Sequence, residues 1–340
     1  MIRRSSAAFV AAGLLAVAAP AFAAEEVNVY TSRQPALIDP LLKAFTDKTG
    51  IKVNTVFDGK SIEERLKAEG ANSPADLVLT VDVGRLTDLV AKDLVQPVQT
   101  ETLKKNIPAS FHSEDGKWWA LTSRARVFYV SKDRVKDGEI KSYADLADPK
   151  WKGRICIRPG DHDYNVALTA AVLAHVGPEK TKDWLKGVKA NLAQKPQGSD
   201  RSQVKSVKEG LCDVAVGNTY YMAAMLADPE QKPWAEAVNI VFPDQAGNGT
   251  HLNVSGMALT KSAPHKDAAV KLMEFLSSDE AQHIYADLNN EYPVKPGVEW
   301  SKLVKSWGTF KADTLALAKV GELRPAALKL INEVDFNAGP

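Results

Sequence analysis

Several things are scarce in this sequence, and each shortage excludes something. Only two of the 340 residues are cysteine, Cys156 and Cys212, so the chain can form one disulfide at most and shows no cysteine-and-histidine zinc pattern. The formal net charge is only +1. Nucleic acid is therefore excluded as the main partner, because phosphate binding needs a basic excess, and any charged ligand must be met by a local cluster. Beyond the first residues there is no apolar run long enough to span a membrane, and there is no repeat or low-complexity tract. No nucleophile–histidine–acid set stands out, which argues against catalysis. What remains, 45% apolar and 25% charged residues, is ordinary for a folded chain long enough for two domains.

The one apolar run lies at the start. MIRRSSAAFVAAGLLAVAAPAFAAEEV has a basic opening at Arg3 and Arg4, an apolar stretch and a small-x-small site at Ala21, Phe22 and Ala23. It predicts a secretory signal peptide over 1–23, too short to anchor the chain. The arginine pair hints at twin-arginine export, but SSAAF matches that signal poorly and general secretion fits better. No cysteine adjoins the cleavage site, so a lipid anchor there is excluded. A free periplasmic protein, with no membrane insertion of the mature chain, is the expectation. In that oxidising compartment a Cys156–Cys212 disulfide is favoured over two buried thiols.

Strand and helix patterns alternate along the mature chain. Strands are expected at 27–31, at IKVNTVF and at ADLVLTVD, with helices at 35–49, around SIEERLKAEG up to Gly70, and at 83–91. RICIRPG, CDVAVGN, VNIVFPD and HLNVSGMALT continue the strands, and YNVALTAAVLAHVG and AAVKLMEFLSS the helices. This alternation predicts doubly wound α/β lobes on parallel sheets. Extended segments near 123–130 and 247–258 would join the lobes. The expected division is 24–122 with 247–290 for the first lobe, and 126–240 with 291–340 for the second, with a ligand cleft between them.

Two segments of the second lobe run in step. CIRPGDHDY and CDVAVGNTY each place a tyrosine eight residues after a cysteine. Bonded cysteines have α-carbons about 4.4–6.8 Å apart, compatible with neighbouring strands about 4.8 Å apart. If those strands are parallel, Tyr164 meets Tyr220 and Tyr221 at the carboxyl edge, where open α/β sheets bind ligands. Consecutive tyrosines on a strand would point to opposite faces. At the first turn of a helix capped by Asn218 or Thr219, both can project over the edge. Three phenols can simply pack, or form a stacking wall for an apolar or sugar ligand. They can also hold a hard, highly charged cation that strips their protons, and three phenolates would balance ferric iron.

The sequence closely resembles the periplasmic ferric-ion-binding proteins, the substrate-binding components of bacterial iron ABC transporters. The resemblance spans the mature chain. It is carried by YTSRQP, EGANSPADLVLTVD, SRARVFYVSKDRV, ADPKWKGRICIRPG, YNVAL, KPQGSDRSQVK, GNTYYM, GTHLNVSG and NEYPV in order. It implies a type II periplasmic-binding fold whose two lobes close on Fe3+ and deliver it to an inner-membrane ABC permease, as a monomer. The family's iron ligands fall on Tyr164, Tyr220 and Tyr221. Many relatives carry a histidine, or a histidine and a tyrosine, after the arginine of the first motif, where this chain has Gln34 and Pro35. It is therefore most similar to the branch that uses three tyrosines and a carbonate-type anion.

Arg33 and Arg124 are the candidates for holding that anion, since a guanidinium can donate two parallel bonds to it. The bland role is an ion pair between lobes, expected less of Arg33, at the carboxyl end of the first strand, than of Arg124, in the crossover segment beside the cleft; Arg126 is a weaker candidate of the same kind. His162 reads as a surface-loop histidine, Asp58 and Asp82 as caps, and Trp118 and Trp119 as packing. The competing function on this fold is binding of an oxyanion, a polyamine or a small organic anion, with an enzyme less favoured.

Overall fold

The computed structural model describes residues 25–58 and 61–340; the expected signal peptide, residues 1–23, lies outside the described residues. Ten strands form one mixed sheet. They are β1 (Glu26–Thr31), β2 (Lys52–Phe57), β3 (Leu77–Thr80), β4 (Val95–Gln96), β5 (Trp119–Ser131), β6 (Ile155–Cys156), β7 (Val214–Asn218), β8 (Val238–Val241), β9 (Leu252–Thr260) and β10 (Tyr292–Pro293). The spatial order is β2-β1-β3-β9-β5-β7-β6, with β4 beside β9 and with β8 and β10 beside β5.

Within each half the strands run parallel, as the alternating pattern predicts: β1 with β2 and β3, and β6 with β7. The two long strands between them run otherwise. β9 is antiparallel to β3 and to β5, and β5 is antiparallel to β7 and β8. The reversal follows from connectivity. β5 pairs with β9 through Ala125 and with β7 from Arg126 onward, so it carries the chain from one half to the other, and β9 takes it back. Strands in adjacent positions that go out and return must oppose one another. All thirteen residues of β5 are buried, as expected of a central strand covered on both faces.

Helices at Val83–Ala91, Asp163–Val176 and Lys266–Leu276 lie close to their predicted places. The helix expected at 35–49 is interrupted: a 3-10 turn at Pro35–Leu37 precedes an α-helix at Asp39–Thr49, whose first turn holds Pro40. Trp118 and Trp119 are core residues, each 1% exposed. A C-terminal helix, Leu317–Glu333, packs on both Val83–Ala91 and Asp163–Val176. Its Arg324 donates to Asp82 at 3.0 Å and to Asp163 at 2.9 Å, which ties the two helix starts together. A β-carbon at Gly84 would fall on that guanidinium, so a larger residue there would displace Arg324 from its two aspartates. Among the described residues no helix is long and apolar enough to cross a membrane.

Candidate functional site

β6 and β7 are adjacent and parallel, with Cys156 opposite Ala215. Cys156 and Cys212 are bonded, their α-carbons 5.9 Å apart. Both chains leave the sheet at the same edge. The first passes Arg158 and enters the helix Asp163–Val176, with Tyr164 in its first turn. The second enters the helix Tyr220–Ala227 directly. Tyr164 Oη and Tyr220 Oη lie 3.2 Å apart, and the rings of Tyr220 and Tyr221 stand 4.2 Å apart, tilted by 38°. Thr219 occupies the cap position, but its side chain makes no cap bond. Its hydroxyl instead accepts from the Ala125 amide of β5 at 3.3 Å.

The three phenols line a cleft of about 410 Å³ shared with Arg33, Gln34, Arg124, Arg201, Ser255 and Glu291. Glu291 is the one acidic side chain among the lining residues, and no histidine is among them. Among the described residues no group of three or more histidine, cysteine, aspartate or glutamate side chains could hold a metal ion. The oxygens in this cleft that can carry negative charge are the three phenols and one carboxylate already paired; the hydroxyls and amides of Ser32, Ser255, Gln34, Asn289 and Asn290 are neutral. Burial first, and then the neighbouring Tyr164 and Tyr221 hydroxyls, pushes the Tyr220 phenol well above its ordinary value near 10. Tyr221 is also raised, by burial, then Tyr164 and Asp200. These two phenols are neutral in the metal-free protein, and they need a strong cation to ionise.

The arginines divide their tasks differently from expectation. Arg33, just past β1, is 4% exposed and forms an ion pair with Glu291, and its other nitrogen donates to Ser255 Oγ. Arg124, in the middle of β5, donates one bond to Ser255 Oγ at 2.9 Å. Its Nε and Nη2 are buried and have no protein partner among the described residues. Its guanidinium stands 5.6 Å from the centre of the Tyr164 ring. The ion pair, expected of Arg124 sooner than of Arg33, falls to Arg33, and Arg124 keeps donors free beside the phenols. Arg126 is elsewhere: it is buried behind the tyrosines against Asp200 and Asn165.

His162 corrects the surface-loop expectation. It is partly buried, caps the helix by accepting the Tyr164 amide at Nδ1, and its ring meets the Tyr164 ring edge-on. Burial, then Arg158, holds its pKa down at about 4. Asp82 does cap a helix, through the Gly84 amide, and Asp58 accepts the Ser61 amide. Gln34 is exposed at the cleft rim. Glu291, Ser255, Asp200 and Arg158 were not foreseen. Only their place in matching motifs, SDRSQVK for Asp200 and ICIRPG for Arg158, could have drawn attention to them.

Comparison with known proteins agrees with this architecture. Residues 72–311 match the family described as bacterial extracellular solute-binding protein. Iron uptake protein A1 of Synechocystis sp. is 47% identical over 316 residues, which cover 92% of this chain and 88% of the relative. The apo ferric ion-binding protein A of Pasteurella haemolytica superposes with a TM-score of 0.88 at 53% identity, over 92% of this chain and 99% of that one. A Trichodesmium protein solved with iron and citrate ligands gives 0.88 at 40% identity, over 92% and 99%. The fold is that of a type II periplasmic binding protein, and the chain belongs to the bacterial extracellular solute-binding proteins, within their ferric-iron-binding group.

Proposed function

We propose that this protein binds ferric iron in the periplasm through the phenolate oxygens of Tyr164, Tyr220 and Tyr221 and delivers it to an inner-membrane ABC permease for uptake. The observation that carries this reading is the convergence of three phenols in a cleft with no histidine and no unpaired carboxylate. Iron-binding relatives of high identity support it. Charge supports it too. Three guanidiniums and one carboxylate leave the cleft with a positive excess of two, which repels a bare cation until the phenols ionise. Three phenolates then cancel a trivalent ion, and a divalent anion such as carbonate cancels the excess. Arg124 is the side chain suited to hold that anion, because its Nε and Nη2, which can donate two bonds side by side, have no protein partner among the described residues.

In this account the lobes, 24–122 with 247–290 and 126–240 with 291–340, close as metal and anion bridge them. Each bound phenol releases a proton, so affinity rises by about tenfold per pH unit for every proton released. The signal peptide exports the chain, which works as a monomer and binds without turning its cargo over.

The test is a titration of the metal-free protein with ferric iron, with and without bicarbonate, following phenolate-to-iron absorption. Colour that develops with Fe3+, not with Zn2+ or Ca2+, and binding that tightens with bicarbonate are expected. Tight capture of phosphate or a carboxylate without any metal would favour the competing reading, in which the arginines grip an organic or inorganic oxyanion directly.

A further inference from the structure

We infer that Asp200 is a positioning residue for the three-tyrosine site, fixing the two segments that carry its phenols in one relation through Arg126, Arg158 and Asn218. The inference rests on the ferric reading above. Asp200 starts the helix Asp200–Lys208, behind the tyrosines, and its side chain is 0% exposed. One carboxylate oxygen accepts Arg126 Nη1 at 2.6 Å and the Asn218 amide at 3.1 Å. The other accepts Arg158 Nη1 at 3.2 Å.

Each route ends beside a tyrosine. Asn218 closes β7 two residues before Tyr220, and its own amide oxygen accepts Arg126 Nη1 at 3.1 Å. Arg126 Nη2 donates to Asn165 Oδ1 at 2.7 Å, and Asn165 follows Tyr164. The Asn165 amide also donates to the Arg158 and Pro159 carbonyls, at 3.0 and 3.1 Å, which fastens the approach to that helix. The same two guanidiniums stand 5.8 and 5.2 Å from the centre of the Tyr164 ring. Gly217 leaves the room this requires: a β-carbon there would come within 3.3 Å of Asp200 and collide with the Tyr129 ring.

A buried carboxylate between two buried arginines is rarely kept for stability, since desolvation offsets most of the attraction. Here it settles a geometric problem. The phenols come from two segments 56 residues apart in sequence, and a metal tolerates errors of only about 0.5 Å in its donors. Without Asp200 the two guanidiniums face each other uncompensated, the backbone amide of Asn218 loses its acceptor, and nothing holds Arg158 against the Tyr164 ring from that side.

The experiment compares D200N and N165A with the parent, and with L272A, which cuts into the core at a fully buried leucine in the other half of the molecule. N165A breaks the link from Arg126 to the Tyr164 helix without leaving a buried ion unpaired, so it decides the matter if D200N does not fold. Two quantities are read on folded, iron-loaded protein: the position of the phenolate-to-iron absorption and the rate of iron loss to excess chelator. Both network variants should shift the band and release iron roughly 10–100-fold faster, and L272A should melt earlier with an unchanged band. An unchanged band and release rate in the network variants overturns the inference and leaves the ferric reading intact. A parent that shows no band at all overturns both.

Discussion

Arg33 and Glu291 form an ion pair in which each side chain is 4% exposed, although 258 residues separate them. Glu291 also accepts the Thr122 hydroxyl at 2.7 Å, so the pair fastens the segment after β1 to the middle of β5. Breaking one side of such a pair strands a buried charge. E291A should therefore lower the stability of the metal-free protein by about 3–5 kcal/mol, measured by urea unfolding. An R33M/E291L double variant should recover much of that loss.

The Arg124 side chain is expected to matter for the anion rather than for the fold, because it makes a single protein hydrogen bond, to Ser255. R124Q should bind ferric iron about tenfold more weakly than the parent in bicarbonate, and bicarbonate should no longer strengthen its binding. Isothermal titration at two bicarbonate concentrations reads both effects.

The Cys156–Cys212 bridge closes a loop that contains Tyr164 and spans 56 residues. The loop-entropy argument gives it about 4 kcal/mol of stabilisation. A C156S/C212S variant should unfold at correspondingly lower urea concentration, and reductant should bring the parent to the same midpoint.

His251 makes the protein sensitive to acid. It is 3% exposed, its Nε2 has no protein partner among the described residues, and burial holds its pKa down at about 4 against an ordinary 6.5. Between those values the unfolded chain binds the proton and the folded one does not. Stability therefore falls as the pH drops from 6.5 towards 4. From pH 7 to pH 5 the loss from this one residue is about 2 kcal/mol. Unfolding free energies from urea titrations at the two pH values should differ by about 2 kcal/mol less in H251F than in the parent.

Much of the architecture was legible because local rules act on it. Asp82 before an apolar-periodic run, Gly70 after one, and the parallel spacing of Cys156–Tyr164 and Cys212–Tyr220 each express a backbone requirement that neighbouring residues reveal. The meeting of Tyr164 with Tyr220 followed from that spacing once the strands proved parallel. The antiparallel course of β5 and β9 was hidden because a strand's direction within a sheet leaves no mark on its side-chain pattern. Asp200 was hidden for a similar reason. Nothing local in SDRSQVK marks what its aspartate meets, and only tertiary packing shows that it faces two arginines rather than water. The sequence placed Arg33 at the end of the first strand and so favoured it over Arg124 for the anion, and the position of Glu291, which no local pattern reveals, gives the ion pair to Arg33 instead.

Ferric-iron binding depends most directly on the three phenolic oxygens, and the measurement that tests this is the ferric-iron affinity of a Y164F/Y220F/Y221F variant beside its parent in bicarbonate buffer. The rings stay, so the apolar packing is retained and the far-ultraviolet circular dichroism should be unchanged. Loss of the phenolate-to-iron absorption and of tight binding together is expected. A folded variant that held ferric iron as tightly as the parent would contradict it.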